Sequence, residues 1–501
     1  MSSPVDIPFL SFISLDRSTK TPIYLQLTQQ LINAIQRGYL VAGTKMPGSR
    51  TLSELLGLHR KTVIAAYEDL HQQGWVAIHP NKGAYVMDNK TKIAERPYDA
   101  LVSLSNYPTQ TGYTFKQSNI LDNPFEQTNC TYQFNDGTPD IRLTQMSYLT
   151  SLYSASMKRK STVKKITRNK EDSTYFKEQL SNYLNISRGL HISKNNLLIT
   201  RSTEMSLYII SQLLIEAGDV VMVGELGFFT ANMTFLKAGA NVKTLPVDEQ
   251  GINVDALEDL LKTIKIRLVY ITPHHHYPTT VSLNAKRRVQ LLQLAQKHGF
   301  IIIEDDYDYD FQYDKSTIMP LASADTNGMV IYVGSFGKSL APSFSAGFVV
   351  APQNLILEMQ KYLGIIDRQG DVVMEQVLGE MIAEGDFHRH LKKSLKVYLE
   401  RRNYCCKLLI EHFRDEISFE VPNGGLAIWL KWNRPISLLQ LAKSCQKHDL
   451  FIPKNILYQN RKIMAMRLGF GHLTVEEMER SLEIMSGCLN PSLPSASLPK
   501  G

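Results

Sequence analysis

Asp305, Tyr307 and Lys338 are the residues of this 501-residue chain whose types and spacing suit one piece of chemistry. Asp305 follows the apolar run Phe300-Ile301-Ile302-Ile303, Tyr307 lies two residues on, and Lys338 comes just after Val333-Gly334-Ser335. A lysine amine can form a Schiff base with an aldehyde, a carboxylate can hold a pyridine nitrogen protonated, and a phenol can hydrogen-bond a ring hydroxyl. Together these are the demands of pyridoxal phosphate. Singly, each also reads as something plainer: Lys338 as a surface charge, Asp305 as a helix cap, Tyr307 as a half-buried ring.

The elements that must position them alternate. Leu197–Thr200 reads as a strand before a helix starting near Glu204. Val220–Val223, Ile266–Thr272, Phe300–Glu304 and Met329–Gly334 read as further strands, with helices such as 284–298 between them. Alternating β and α units imply a mainly parallel sheet covered on both faces, with ligands beyond the carboxyl ends of its strands. The three residues fall at such ends.

Ahead of this body, residues 18–88 form a separate pattern. Thr21-Pro22 opens a helix with Tyr24, Leu27, Leu31, Ala34 and Ile35 on one face and Gly38 at its end. A short helix from Ser49 to Gly57, the turn Gly57-Leu58-His59 and a helix from Arg60 to about Gln73 make a helix-turn-helix. Trp75–Ile78 and Ala84–Met87, joined through Pro80–Gly83, supply a hairpin wing. Arg60, Lys61 and Thr62 sit where a recognition helix meets base edges and phosphates. Arg50 can reach the DNA backbone, and Lys82 at the wing tip can enter a neighbouring groove. Residues 1–92 carry ten Lys/Arg against six Asp/Glu, more than half of the chain's net charge of +7.

The segment PGSRTLSELLGLHRKTVIAAYEDLHQQGWVAIHPNKGAYV resembles the winged helix-turn-helix of the GntR family of bacterial repressors. The ordered series FNDGTPD (134–140), LLITRSTEMSL (197–207), DVVMVGELGFF (219–229), RLVYITPHHHYPT (267–279), IIIEDDYDYDF (301–311), IYVGSFGKSLAPSFSAGF (331–348) and MRLGF (466–470) resembles a fold-type I aminotransferase domain. That pairing is the arrangement of the MocR subfamily. The resemblance implies an N-terminal winged helix-turn-helix plus an α/β fold-type I body. It further implies Lys338 as the Schiff-base lysine, Asp305 on the pyridine nitrogen and Tyr307 on the ring hydroxyl. Phe228 would stack on the ring, Ser202 and Thr203 would open a helix whose N–H groups suit the phosphate, and Arg467 would fork the carboxylate of an amino-acid-like effector.

Departures from the family pattern concern the phosphate. Arg is usual seven residues after the lysine, where this chain has Ser345. An expected Tyr-Gly pair reads Thr167-Arg168, and Pro-Thr-Gly reads Pro278-Thr279-Thr280. Consecutive histidines on an extended segment point to alternate sides, so at most two of His274, His275 and His276 could share an ion, and no metal is expected. Nor do the scattered Cys130, Cys405, Cys406, Cys445 and Cys488 suggest zinc or a disulfide framework. No apolar run is long enough to span a bilayer, and the start MSSPVDIPFLSF lacks the pattern of a secretory signal, so a cytoplasmic protein without membrane contact is expected.

The expected organisation is a DNA-binding head (18–88), a linker (89–130), an aminotransferase-like effector and dimerisation domain (131–490) and a disordered tail (491–501). The basic run Lys158–Lys170 reads as a solvated helix face. The expected protein is a homodimeric bacterial transcription regulator. It binds an operator in double-stranded DNA and, through pyridoxal phosphate, senses the cofactor itself or an amine or amino acid; some residual transaminase chemistry is compatible with it. Two alternatives stay open: a working aminotransferase with an accessory head, and a regulator whose body no longer binds the cofactor.

Overall fold

The computed structural model describes residues 9–19, 21–80, 82–87, 109–116, 118, 121, 126–160, 162, 174–314, 318–340, 346–368, 370–460 and 462–489. The chain forms two compact units, Met1–Phe115 and Lys116–Gly501. Ser345, Thr167, Arg168, most of the 158–170 run, residue 88 at the end of the head, residues 89–108 of the linker region and the 491–501 tail lie outside the described residues.

In the first unit, α1 (Ile23–Gln36), α2 (Ser49–Leu56) and α3 (Arg60–Gln72) precede the hairpin β1 (Val76–His79) and β2 (Gly83–Val86). Pro22 rather than Thr21 occupies the cap position of α1, with no side-chain cap bond. Its missing N–H is one that the first turn leaves unpaired in any case. Gly57 ends α2 in the left-handed conformation, φ 63°, which turns the chain tightly into α3. Leu27, Leu31, Leu52, Val63, Tyr67, Leu70, Val76 and Val86 share one core, which Phe9 and Ile13 also enter. The packed head therefore begins before residue 18, because those two apolar side chains are buried in it.

The second unit is built on a seven-stranded sheet. Its strands are β3 (Leu197–Thr200), β4 (Val220–Gly224), β5 (Asn241–Leu245), β6 (Leu268–Ile271), β7 (Ile301–Asp305), β8 (Val330–Ser335) and β9 (Gly347–Val350). Their spatial order is β3-β9-β8-β7-β6-β4-β5. Only β9 runs antiparallel to its neighbours. Val221, Tyr270 and Ile303 face one core on one side of the sheet, and Met222, Val269 and Ile302 face another on the opposite side, as the two-residue period of strands requires. Helices α4 (Thr174–Arg188), α5 (Thr203–Leu214), α6 (Phe229–Lys237) and α7 (Ala285–His298) contribute to these covering layers.

A smaller lobe holds a four-stranded antiparallel sheet of β10 (Ile417–Ser418), β11 (Ala427–Trp432), β12 (Leu457–Gln459) and β13 (Met464–Gly469). It packs with α8 (Asp386–Phe413), α9 (Leu438–Lys447) and α10 (Val475–Leu489). Among the described residues no helix is long and apolar enough to cross a membrane.

Candidate functional site

The carboxyl ends of the parallel strands converge on one buried cluster. Asp305 is the last residue of β7, Lys338 lies in the turn after β8, and the 274–278 segment follows β6. Asp305 is 2% exposed. Its Oδ2 accepts a hydrogen bond from the Tyr270 hydroxyl at 2.7 Å, while its Oδ1 has no partner among the described residues. Burial pushes its carboxyl up to about 7, against the Tyr270 hydrogen bond, which favours the carboxylate. Lys338 Nζ lies 4.6 Å from the centre of the Tyr307 ring, and burial lowers its pKa, which favours the neutral, nucleophilic amine.

Ser339, next to that lysine, is pinned from both sides. Its hydroxyl donates to Asp310 at 2.6 Å, and its carbonyl is 3.1 Å from His390 Nε2. Asp310 also accepts from Tyr183 at 3.2 Å and from Arg188 at 3.1 Å.

Tyr307 donates its hydroxyl hydrogen to the His275 carbonyl at 2.9 Å, and its oxygen accepts from Arg467 Nη2 at 3.2 Å. Arg467, on β13, is 1% exposed and places its guanidinium 4.8 Å from the Tyr277 ring. Its Nε and Nη1 donate to the Asp136 and Pro278 carbonyls, both at 2.9 Å. A guanidinium has five N–H groups. These three bonds therefore leave one N–H on each terminal nitrogen. Phe228 caps α6 and meets the Tyr277 ring edge-on at 5.2 Å.

Ser202 caps α5 and accepts from Met205 N at 3.3 Å, with Thr203 as the first helical residue. The N–H groups of that first turn are the ones a helix leaves unpaired. The family's usual glycine after Pro-Thr is here Thr280, which nonetheless keeps φ 64°. A β-branched residue in that region is strained by about 1–3 kcal/mol.

The three histidines go to three different partners. His274 Nδ1 is 3.0 Å from Asp306, His275 Nδ1 is 2.8 Å from Asp308, and His276 Nε2 is 3.2 Å from the Glu225 carbonyl. The adjacent Asp306 carboxylate raises the pKa of His274 against its burial, whereas burial lowers that of His276 to about 4. Among the described residues no group of three or more His, Cys, Asp or Glu is arranged to hold a metal. Gly224 is required beside this segment, since a Cβ there would lie 2.3 Å from His276 Cε1.

Tyr270, Asp310 and Arg188 were not among the residues singled out from the sequence. A signal for Tyr270 exists: it is the one polar-tipped residue in the apolar strand Leu268–Ile271, and it pairs with Ile303, two residues before Asp305. For Asp310 and Arg188, more than 120 residues apart in the chain, no comparable signal exists.

In the head, Arg50, Arg60, Lys61 and Lys82 are exposed and Thr62 is half-buried. His59 caps α3 by accepting from Lys61 N at 3.3 Å, and Arg60 Nε reaches Ser49 Oγ at 3.3 Å across the turn. Arg60 is thus partly committed to holding α2 against α3. Lys45, also absent from the sequence reading, is exposed and pairs with Tyr85 beside the wing. Lys158 ends a helix, and Arg159 forms an ion pair with Glu380.

Comparison with known proteins matches the same division. The family of bacterial regulatory proteins, gntR family, matches residues 23–86, and the aminotransferase class I and II family matches residues 154–484. Over 436 residues the chain is 27% identical to the "Probable rhizopine catabolism regulatory protein MocR" of Rhizobium meliloti, covering 84% of each chain. It is 24% identical to the HTH-type transcriptional regulator YdfD of Bacillus subtilis, covering 94% of this chain and 97% of that one. Among solved structures, an archaeal alanine:glyoxylate aminotransferase superposes with a TM-score of 0.65 at 23% identity, over 72% of this chain and 91% of the other. The kynurenine aminotransferase of Pyrococcus horikoshii gives 0.64 at 22%, over 74% and 92%. Likeness at that identity concerns the fold. With the winged head in front and the convergent strand ends behind, the chain belongs to the aminotransferase class I and II family and is a GntR-type DNA-binding regulator with an aminotransferase-like domain.

Proposed function

We propose that the body holds pyridoxal phosphate at Lys338 and thereby senses the cofactor, an amine or an amino acid, and that the ligand state sets operator affinity. The observation that carries this reading is the pair formed by the half-buried Lys338, whose surroundings favour the neutral amine, and an unpartnered buried carboxylate oxygen at Asp305. A buried acceptor without a donor costs about 1–3 kcal/mol. A protonated ring nitrogen is the donor that would remove that cost and return the carboxyl to its ionised form. When bound, the cofactor supplies an aldehyde for the lysine amine and a ring that withdraws electrons.

This chain's own residues do the rest. Asp305 holds the ring-nitrogen proton, Tyr307 would turn its hydroxyl hydrogen from the His275 carbonyl to the ring oxygen, and Phe228 stacks. The α5 N-terminus at Ser202 and Thr203 receives the phosphate, and the two remaining N–H groups of Arg467 orient an effector carboxylate. The head contacts DNA through Arg50, Arg60, Lys61, Thr62 and Lys82 in a cytoplasmic homodimer, since a two-fold dimer matches paired half-sites. Operator contact follows from reshaping a pre-existing equilibrium between two dimer arrangements.

An absorption spectrum of the purified protein with added pyridoxal phosphate, before and after borohydride, tests the reading. A visible band that borohydride fixes covalently to Lys338, and that Lys338→Ala lacks, is the expected result. No band in the parent would overturn it.

A further inference from the structure

The run Asp305-Asp306-Tyr307-Asp308-Tyr309-Asp310 carries four carboxylates, and the cofactor reading uses only the first. Asp306 stands 3.0 Å from His274, and Asp308 stands 2.8 Å from His275. Asp310 turns instead to the residue after the lysine. Its Oδ2 accepts from the Ser339 hydroxyl at 2.6 Å, and its Oδ1 accepts from Tyr183 at 3.2 Å and from Arg188 at 3.1 Å. Tyr183 and Arg188 both lie on α4, and Arg188 is buried. Its guanidinium is held in turn by the Tyr309 and Tyr332 rings, 4.6 and 5.7 Å away, and by a hydrogen bond to the Tyr332 hydroxyl. That hydroxyl donates onward to Asp306 at 2.7 Å. With both oxygens engaged, Asp310 has a fixed place from which to hold Ser339.

Two more clamps act on the same short stretch. His390, on α8, approaches the Ser339 carbonyl at 3.1 Å, and a carbonyl can only accept, so Nε2 carries the hydrogen. Thr144 donates its hydroxyl hydrogen to the Leu340 carbonyl. Asp310, His390 and Thr144 come from three separate parts of the chain and meet on two consecutive buried residues. Adjacent Cα atoms are about 3.8 Å apart, so fixing Ser339 fixes the backbone from which the Lys338 side chain starts. The side-chain torsions then place Nζ 4.6 Å from the centre of the Tyr307 ring. Of the three clamps, only the Ser339–Asp310 bond ends on a carboxylate, the stronger kind of acceptor.

We propose that Asp310 is a positioning residue: through the Ser339 hydroxyl it fixes where the Lys338 amine stands for Schiff-base formation. The proposal rests on the reading of Lys338 as the Schiff-base lysine. In that step the neutral amine adds to an aldehyde carbon and a C–N bond forms. The carbonyl oxygen then leaves as water with the two hydrogens of the amine, and C=N remains. Asp310 touches none of the reacting atoms. The charged groups around the amine are Asp136, Asp305, Asp308 and Arg467, and burial is the largest influence favouring its neutral form. None of these groups changes in a Ser339 variant, so altered protonation of Lys338 there reports an altered position.

Ser339→Ala is the clean variant, because Asp310 keeps Tyr183 and Arg188, whereas Asp310→Ala would leave Arg188 without that carboxylate. Full-length parent, Ser339→Ala and Ser339→Thr, all free of cofactor, are treated with formaldehyde and cyanoborohydride over a range of pH. Methylation of Lys338 is quantified by peptide mass spectrometry, and melting temperatures are recorded alongside. In Ser339→Ala the pH midpoint of Lys338 methylation should rise by about one unit, toward that of a solvated lysine. Ser339→Thr keeps the hydroxyl and should keep the parent's midpoint. Titration with pyridoxal phosphate should show binding to the alanine variant weakened by about tenfold or more, as expected for a misplaced reacting group. Equal midpoints in parent and Ser339→Ala would overturn the proposal, and with a lowered melting temperature they would make the bond merely structural. A threonine variant that behaves like the alanine one would assign the effect to packing and overturn it equally. No visible band in the parent with pyridoxal phosphate would sink the cofactor reading, and the methylation midpoints, measured without cofactor, would still decide whether Asp310 places the amine.

Discussion

Tyr270→Phe is the most informative single change to the cofactor site, because it removes one hydrogen bond and keeps the ring. The Tyr270 hydroxyl is the sole donor to Asp305 among the described residues, at 2.7 Å, and its ring packs edge-on against Phe235 at 5.6 Å. Phenylalanine preserves that packing. A hydrogen bond to a charged group contributes about 1.5–3 kcal/mol. Its loss should raise the Asp305 carboxyl by about one to two pH units above the value of about 7 that burial already produces. Cofactor binding that needs the carboxylate should then weaken by about 10–100-fold near pH 7, since 1.4 kcal/mol is tenfold. The sign of the pH dependence follows: raising the pH ionises the carboxyl, so most of the loss should be recovered by about pH 9. The assay is a titration with pyridoxal phosphate, read by visible absorbance at several pH values in parent and variant. Equal affinity and an equal pH profile in both would refute the assignment of Asp305 to the ring nitrogen.

Four further outcomes follow from the same geometry. The raised Asp305 pKa means that the cofactor-free fold holds a proton the unfolded chain has already released, so this group reduces stability as pH rises from about 4 to 7. Asp305→Asn should therefore raise the melting temperature of the cofactor-free protein by a few degrees at pH 8 and leave it unchanged at pH 4, measured by scanning fluorimetry. Thr280→Gly should stabilise by about 1 kcal/mol through relief of the left-handed φ of 64°, with denaturant unfolding as the check. Arg60→Ala should cost about 1–3 kcal/mol of operator binding and Lys61→Ala should shallow the salt dependence, both seen in binding titrations at several salt concentrations. Ser345→Arg should tighten cofactor binding by about one to two orders of magnitude if the parent lacks one charge-assisted phosphate contact, and unchanged affinity would show that other groups hold the phosphate.

The sequence by itself determined the elements and their order. The head was readable because each helix boundary is local: Gly38, Gly57 and Gly74 all take positive φ where a helix ends, and the apolar stripe of α1 is a one-dimensional pattern. The alternation of short apolar strands with helices likewise implied a largely parallel sheet, and Asp305 and Lys338 did fall at strand ends because side chains there are placed by the topology itself. What only the tertiary structure decided are the partners. The antiparallel course of β9, the bond from Tyr270 to Asp305, and the engagement of Arg467 with carbonyls from Asp136 and Pro278 all join residues far apart in the chain. The same holds for the three histidines: their adjacency already argued against one shared ion, but only the fold sets them beside Asp306, Asp308 and the Glu225 carbonyl. Periodicity and capping are properties of neighbours along the backbone, whereas the protonation and reach of a buried side chain depend on whatever the fold brings within about 3 Å of it.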